Sequence, residues 1–169
     1  MTAATETVVA TQVHRVYIKA TPQQVWDAIT SPEWTERYGY KARQEYELRP
    51  GGTMKAFANQ GMKDYGAPDV VVEGEVIEVD PPHKLVQSWR MLFEPDQAAE
   101  PMTRITWEIA EEFGVSRLTV THELENAPIH AALVHGDVPQ AGGGWPFVLS
   151  DLKSLLETGS SFTEAWRNS

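Results

Sequence analysis

The sequence has 169 residues, a formal net charge of −10, 41% hydrophobic and 22% charged residues, and no cysteine. That length suits one ordinary domain with a proper core, and the balance is that of a soluble globular protein. An acidic chain without any Lys/Arg cluster lacks the basic footprint needed for nucleic acid or an anionic membrane surface, and the missing thiols exclude disulfides, thiolate metal sites and cysteine nucleophiles.

Taken in chain order, Met1 to Glu6 carries neither the basic region nor the hydrophobic stretch of an export signal. No later apolar run approaches the roughly 18 residues of a membrane span. A cytoplasmic location is therefore expected. Residues 1–12 are small and polar and read as a flexible tail, residues 13–158 as the single domain, and residues 159–169 as a C-terminal tail. His14 to Ala20 alternates, with Val16 and Ile18 opposite Arg15, Tyr17 and Lys19, which predicts a strand with one wet side. Thr21-Pro22 supplies a capping hydroxyl and a starting proline for a helix, and Val25, Trp26 and Ile29 repeat at helical spacing. Ser31-Pro32-Glu33 repeats that signal for a second short helix carrying Trp34 and Tyr38.

Strand-like segments come next. Ala42 to Leu48 ends at the turn Arg49-Pro50-Gly51-Gly52, and Thr53 to Asn59 sets Met54, Ala56 and Ala58 opposite Lys55 and Phe57. A loop rich in Gly, Asp and Pro then runs to Asp69. In the long strand from Val70 to Val79, Val72, Gly74 and Val76 share a face until Ile77 and Val79 break phase. That break predicts a bulge or sharp bend between Gly74 and Ile77. Asp80-Pro81-Pro82 turns the chain into a strand from Lys84 to Phe93, and the acidic stretch Glu94 to Glu100 reads as a solvated hairpin end. Thr103 to Phe113 alternates through Ile105, Trp107 and Ile109. After Gly114, Val115 to Leu124 puts Leu118, Val120, His122 and Leu124 on one face. Residues 125–142 read as a loop with a helical turn around Ile129 to Val134.

The last element is the longest helix. Pro146 suits its first position and Gly159 its stop, and Val148, Leu149, Leu152, Leu155 and Leu156 form one apolar stripe. Ser150, Asp151, Lys153, Ser154 and Glu157 fall outside that stripe. Such a helix is marginal alone in water and needs an apolar surface to lie on. Gly142-Gly143-Gly144 reads as slack that lets it seat. Six consecutive strands with tight connections, and helices gathered on one face, predict an α+β layer arrangement.

The order strand, helix, helix, six strands, long helix resembles the helix-grip fold of the START-like, birch-pollen-allergen-like superfamily, also called SRPBCC. The stretches Ala20 to Thr30, Arg49-Pro50-Gly51-Gly52, Gly74-Glu75-Val76 through Pro82, Leu85 to Trp89, and Gly144-Trp145 with the leucine series resemble the branch named for the activator of the 90-kDa heat-shock-protein ATPase. The resemblance implies a curved seven-stranded antiparallel sheet wrapped around the long C-terminal helix. It also implies a cavity between them that holds an apolar small molecule. A bent sheet and a straight helix cannot touch everywhere, so such a gap suits a ligand.

Candidate ligand-binding residues follow from that geometry. Trp89, Trp107 and Trp145 offer rigid faces and indole donors for a flat or fatty molecule, the alternative being that they fill the core. Phe57 is a candidate for the cavity mouth, with Tyr65 in a neighbouring loop. Met91, Val120, Leu149 and Leu152 complete the expected lining. His122, in phase with Val120, is either a ligand contact or a core imidazole satisfied by a neighbour. No catalytic residue, metal or cofactor is expected. His130 and His135 are spaced five apart, which does not stack two metal ligands on a helix face.

The leading expectation is a binding module for a small hydrophobic or aromatic ligand. One rival is a cavity enzyme of polyketide cyclase or hydrolase type, using His122 with Glu73 or Glu108. The other is a stress-related chaperone accessory, motivated by the family name alone. Exposed Tyr17, Phe147, Phe162 and Trp166 are candidates for a homodimer patch.

Overall fold

The computed structural model describes residues 11–136, 138 and 142–164. Its strands are β1 (Thr11–Ile18), β2 (Arg43–Tyr46), β3 (Thr53–Phe57), β4 (Val70–Asp80), β5 (Lys84–Met91), β6 (Thr103–Glu112) and β7 (Val115–Glu123). Its helices are α1 (Pro22–Thr30), α2 (Pro32–Thr35), α3 (Gln60–Asp64), α4 (Pro95–Ala99), α5 (Pro128–His135) and α6 (Gly144–Thr158). The strands form one curved antiparallel sheet in the order β1-β7-β6-β5-β4-β3-β2. This is the α+β helix-grip arrangement expected from the sequence, with α6 as the gripped helix. Among the described residues no helix is long and apolar enough to cross a membrane.

Local chemistry explains the principal elements. Thr21 caps α1 through a reciprocal pair: its hydroxyl accepts from the Gln24 N–H, and the Gln24 side chain accepts from the Thr21 N–H. The predicted bend in β4 is a bulge at Ile77. Glu73 pairs with Arg90 and Val76 with Gln87 in one register, but Glu78 pairs with Val86 in the next, leaving Ile77 as the extra residue. Gly74 lies just before it, where a Cβ would stand 2.0 Å from the Ser88 carbonyl oxygen. Only glycine permits that approach of β4 to β5, and the sheet curls there.

Helix α6 begins at Gly144, two residues earlier than expected, so Pro146 sits within the first turn, where its missing N–H costs nothing. Gly144 has φ +63°, and a Cβ there would stand 2.2 Å from the Val134 carbonyl oxygen. The glycine run therefore presses α6 against the end of α5. Gly159 ends the helix in the left-handed conformation, with its N–H on the Leu155 carbonyl. Leu149, Leu152 and Leu155 are buried against Ile105, Leu118 and Val120 in the main core.

Several details differ from the sequence reading: β1 begins at Thr11, inside the expected flexible tail, and residues 128–135 of the expected loop form the full helix α5. Helix α2 stops at Thr35, before Tyr38. The loop after β3 contains α3, and the acidic stretch contains α4, with Gln97 and Glu100 buried rather than solvated. Asp151, placed outside the apolar stripe, is fully buried. Its carboxylate accepts from the Gly39 N–H at 2.9 Å, the Phe162 N–H at 2.7 Å and the Thr163 hydroxyl at 2.6 Å. These bonds hold residues 159–164 of the expected tail against the domain, where Ser161 and Thr163 are buried. The remaining tail, with Trp166, lies outside the described residues.

Candidate ligand cavity

The sheet and α6 separate on one side. Helix α6 leans chiefly on β1, at one edge of the sheet, and β2, β3 and β4 form the opposite wing, next to the bulge in β4. A second, smaller apolar cluster covers that wing, built from Met54, Ala56, Ala58, Val71 and Val72. Between it and the start of α6 lies a cavity of about 440 Å³.

The sheet contributes Tyr46, Met54, Ala56, Val72, Gln87, Trp89, Met91 and Trp107 to its walls. The segment after α2 adds Tyr38, Gly39, Tyr40 and Lys41, and the α5–α6 junction adds Leu133, Val134, Trp145 and Val148. Met62, Phe93 and Glu94 line it as well, and they also border a shallower depression beside α3. Ala56 is almost fully buried yet faces the space with a single methyl group. Trp107 and Trp145 meet edge to face, with ring centroids 5.2 Å apart, and make a rigid aromatic wall.

Of the residues expected from the sequence, the structure brings Trp89, Met91, Trp107 and Trp145 together on the cavity. Val120, Leu149 and Leu152 lie instead in the packed core, and Val148, from the same stripe, takes the lining position. Phe57 is on the opposite face of β3 from Met54 and Ala56, with the Arg43 guanidinium 4.8 Å from its ring centroid. Tyr65 is almost wholly exposed, beside the depression near α3.

His122 is sealed behind the cavity wall. Its Nδ1 accepts from the Trp145 indole N–H at 3.1 Å, which only donates, so the ring proton sits on Nε2. Nε2–H then donates to the Thr103 hydroxyl at 2.7 Å, and that hydroxyl donates to the Trp89 carbonyl at 2.7 Å. Burial, reinforced by the nearby His130 and His14, pushes the imidazole pKa down to about 3. The ring is a neutral strut that orients two tryptophans of the wall.

His130 plays a matching role. Its Nε2 accepts from the Met91 N–H at 2.8 Å, which fixes Nδ1–H toward Glu100 at 2.6 Å. Glu100 also accepts from the Ile129 and His130 N–H groups and so caps the start of α5. Burial pulls the Glu100 pKa upward, but the His130 ring and the two backbone donors outweigh it and hold the carboxyl below its ordinary value. Among the described residues, no three metal-ligating side chains cluster.

Gln87 was not anticipated. It is fully buried and lines the cavity. Its Oε1 accepts from the Trp107 indole N–H at 2.9 Å and from the Tyr46 hydroxyl at 2.9 Å, while its Nε2 has no partner. Burial drives the Tyr46 pKa far up, opposed in part by the bond to Gln87, so the phenol stays protonated and donates. Tyr38, likewise raised by burial, donates to the Ala28 carbonyl at 2.9 Å. A signal for Gln87 does exist: it shares the strand phase of Leu85, Trp89 and Met91, a polar residue at an inward position.

Comparison with known proteins bears on the fold. A family profile described as activator of Hsp90 ATPase homolog 1-like protein matches residues 19–157. No curated protein matches the sequence. Among solved structures, CalU16 from Micromonospora echinospora is similar, with 22% identity and a TM-score of 0.62 over 91% of this chain and 83% of that one. DynU16, from the dynemicin biosynthetic locus, shows 21% identity and a TM-score of 0.63 over 90% of this chain and 49% of its own. The Aha1 dimer from Colwellia psychrerythraea shows 18% identity and a TM-score of 0.59 over 88% and 97% of the two chains. Identities at this level support a shared fold. With the profile spanning nearly all of the folded chain, the protein belongs to the activator of Hsp90 ATPase homolog 1-like family, within the START-like SRPBCC superfamily.

Proposed function

We propose that the protein binds a small hydrophobic or aromatic molecule between the β2–β5 part of the sheet and the start of α6. The observation that carries this reading is the cavity itself, about 440 Å³ in volume, with Trp89, Trp107 and Trp145 on its walls. That volume falls among small-molecule sites, which run to about 300–1,000 Å³. A core built only for stability gains from being filled, at about 24 cal/mol per Å³ of cavity removed. Here Ala56 faces the space instead of a larger residue.

Binding is favoured over turnover by the state of the titratable groups. His122 is neutral and sealed, Glu73 pairs with Arg90, and Glu108 is exposed. Native mass spectrometry of the purified protein, with a thermal-shift screen of apolar aromatics, tests the reading. A ligand at about 100 times its Kd adds about 2.7 kcal/mol of stability. A bare chain mass together with no shift across the screen would remove the proposal. Self-association is a second reading, supported by contiguous aromatics: Phe147 lies 5.5 Å from Tyr40 and 5.4 Å from Phe162 between ring centroids. Sedimentation showing only monomer at high concentration would dismiss it.

A further inference from the structure

Building on the cavity reading, we infer that Gln87 is a recognition donor: the ligand carries a carbonyl-type oxygen on an otherwise apolar skeleton, and that oxygen accepts from Gln87 Nε2.

The orientation of the amide is fixed by its neighbours. An indole N–H can only donate, so the Gln87 group 2.9 Å from Trp107 Nε1 must be the oxygen. The Tyr46 hydroxyl donates to the same oxygen. Both donors therefore converge on Oε1, and the NH₂ end is left buried without a partner. Buried polar groups in native proteins are almost always paired, so an unpartnered donor on a residue of the cavity wall points to an acceptor brought by the ligand. Two donors on Oε1 also polarise the amide and strengthen what Nε2 can give.

The charges nearby select the kind of acceptor. The charged residues on the lining are Lys41, whose ammonium already donates to the Thr163 carbonyl, and the exposed Glu94. Around the amide the partners are a neutral phenol and an indole. A carboxylate or phosphate at the amide would be desolvated with no cationic group among the amide's own partners. A ketone, quinone or amide oxygen accepts the bond and carries no such cost. The tryptophan walls suit a flat skeleton behind it.

The test uses 9-fluorenone and fluorene, two tricycles that differ by a carbonyl in place of a methylene. Affinities of the full chain for both are measured by equilibrium dialysis. A ketone carries its own dehydration cost into any apolar site. The quantity read is therefore the ketone-to-hydrocarbon affinity ratio in the native chain against the same ratio in Gln87→Met and Gln87→Glu. Methionine keeps the shape and loses the donor. Glutamate, studied at alkaline pH, keeps an oxygen for Trp107 and Tyr46 but replaces the NH₂ with a second oxygen. A general loss of packing weakens both probes and cancels in the ratio. The expected result is a fall in the ratio by about 5- to 100-fold in each folded variant, with fluorene still bound. An unchanged ratio with fluorene bound overturns the role of Gln87 and leaves the cavity reading standing. If neither tricycle binds the native chain, the cavity reading fails for flat ligands and this inference falls with it.

Discussion

Replacing Ala56 by leucine tests whether the space beside β3 accepts a larger side chain. Ala56 is 1% exposed, pairs with Gln44 and Val72, and presents its methyl group to the cavity. Leucine adds three carbons, and at about 0.8 kcal/mol per buried methylene the gross gain is about 2.4 kcal/mol. In a filled core, overpacking would cost about 1–3 kcal/mol and reverse the sign. With about 440 Å³ available, the expected net gain is about 1–2 kcal/mol. For a chain of this size that raises Tm by about 2–4 °C per kcal/mol. Ala28 is the control, because it is equally buried but lies in the packed core and does not line the cavity. Ala28→Leu is expected to lower stability by about 1–3 kcal/mol. Urea unfolding of both variants, followed by thermal shift with any ligand found for the native chain, reads the outcome. Ala56→Leu should be the more stable protein and the poorer binder. If it is destabilised as much as Ala28→Leu, the space is already occupied and the reasoning fails.

Three further outcomes follow from the buried polar groups. His122 binds a proton in the unfolded chain below about pH 6.5 but resists one in the native state down to about pH 3. Its stability contribution is therefore complete above pH 6.5 and is lost as pH falls; about 2 kcal/mol should disappear between pH 7 and 5. His14, also lowered by burial and by His135, acts in the same direction. Urea titrations in which His122→Gln leaves that slope unchanged would contradict the assignment. Asp151→Ala strands three donors and should cost about 3–5 kcal/mol while loosening the cavity segment at Gly39; a loss below about 1 kcal/mol in urea unfolding would count against the clamp. Glu100→Ala removes the cap of α5 and the partner of His130, for an expected cost of about 2–4 kcal/mol. Faster amide exchange at Ile129 and His130 should accompany it.

Much of the architecture was legible because periodicity and punctuation agreed. Alternation marked the long strands, the phase break at Ile77 located the bulge, and Gly159 stopped α6 where expected. The short helices α3 and α4 were not legible, since five residues hold too few apolar positions to show a helical period. Asp151 was misplaced for a different reason. A charged residue beside an apolar stripe reads as solvated unless its partners are known, and those partners, Gly39, Phe162 and Thr163, come from distant parts of the chain. The cavity was legible as a consequence of the fold but not in its position. Strand phase brought Trp89 and Trp107 inward and α6 brought Trp145, yet nothing local says that α6 leans toward β1, with Val120 in the packed core and Ala56 on the cavity.

The polar residues around the cavity divide in two. Behind its wall, imidazoles are bonded at both nitrogens: His122 between Trp145 and Thr103, His130 between Met91 and Glu100. Each holds in place a residue of the cavity wall, and neither ring has a nitrogen left over for a ligand. On the wall itself, Gln87 is bonded at one end only. A fold that needed the amide only as a strut would have paired its nitrogen as well. Stability therefore accounts for the histidines but leaves half of Gln87 unexplained, on a residue that lines the space a ligand would fill.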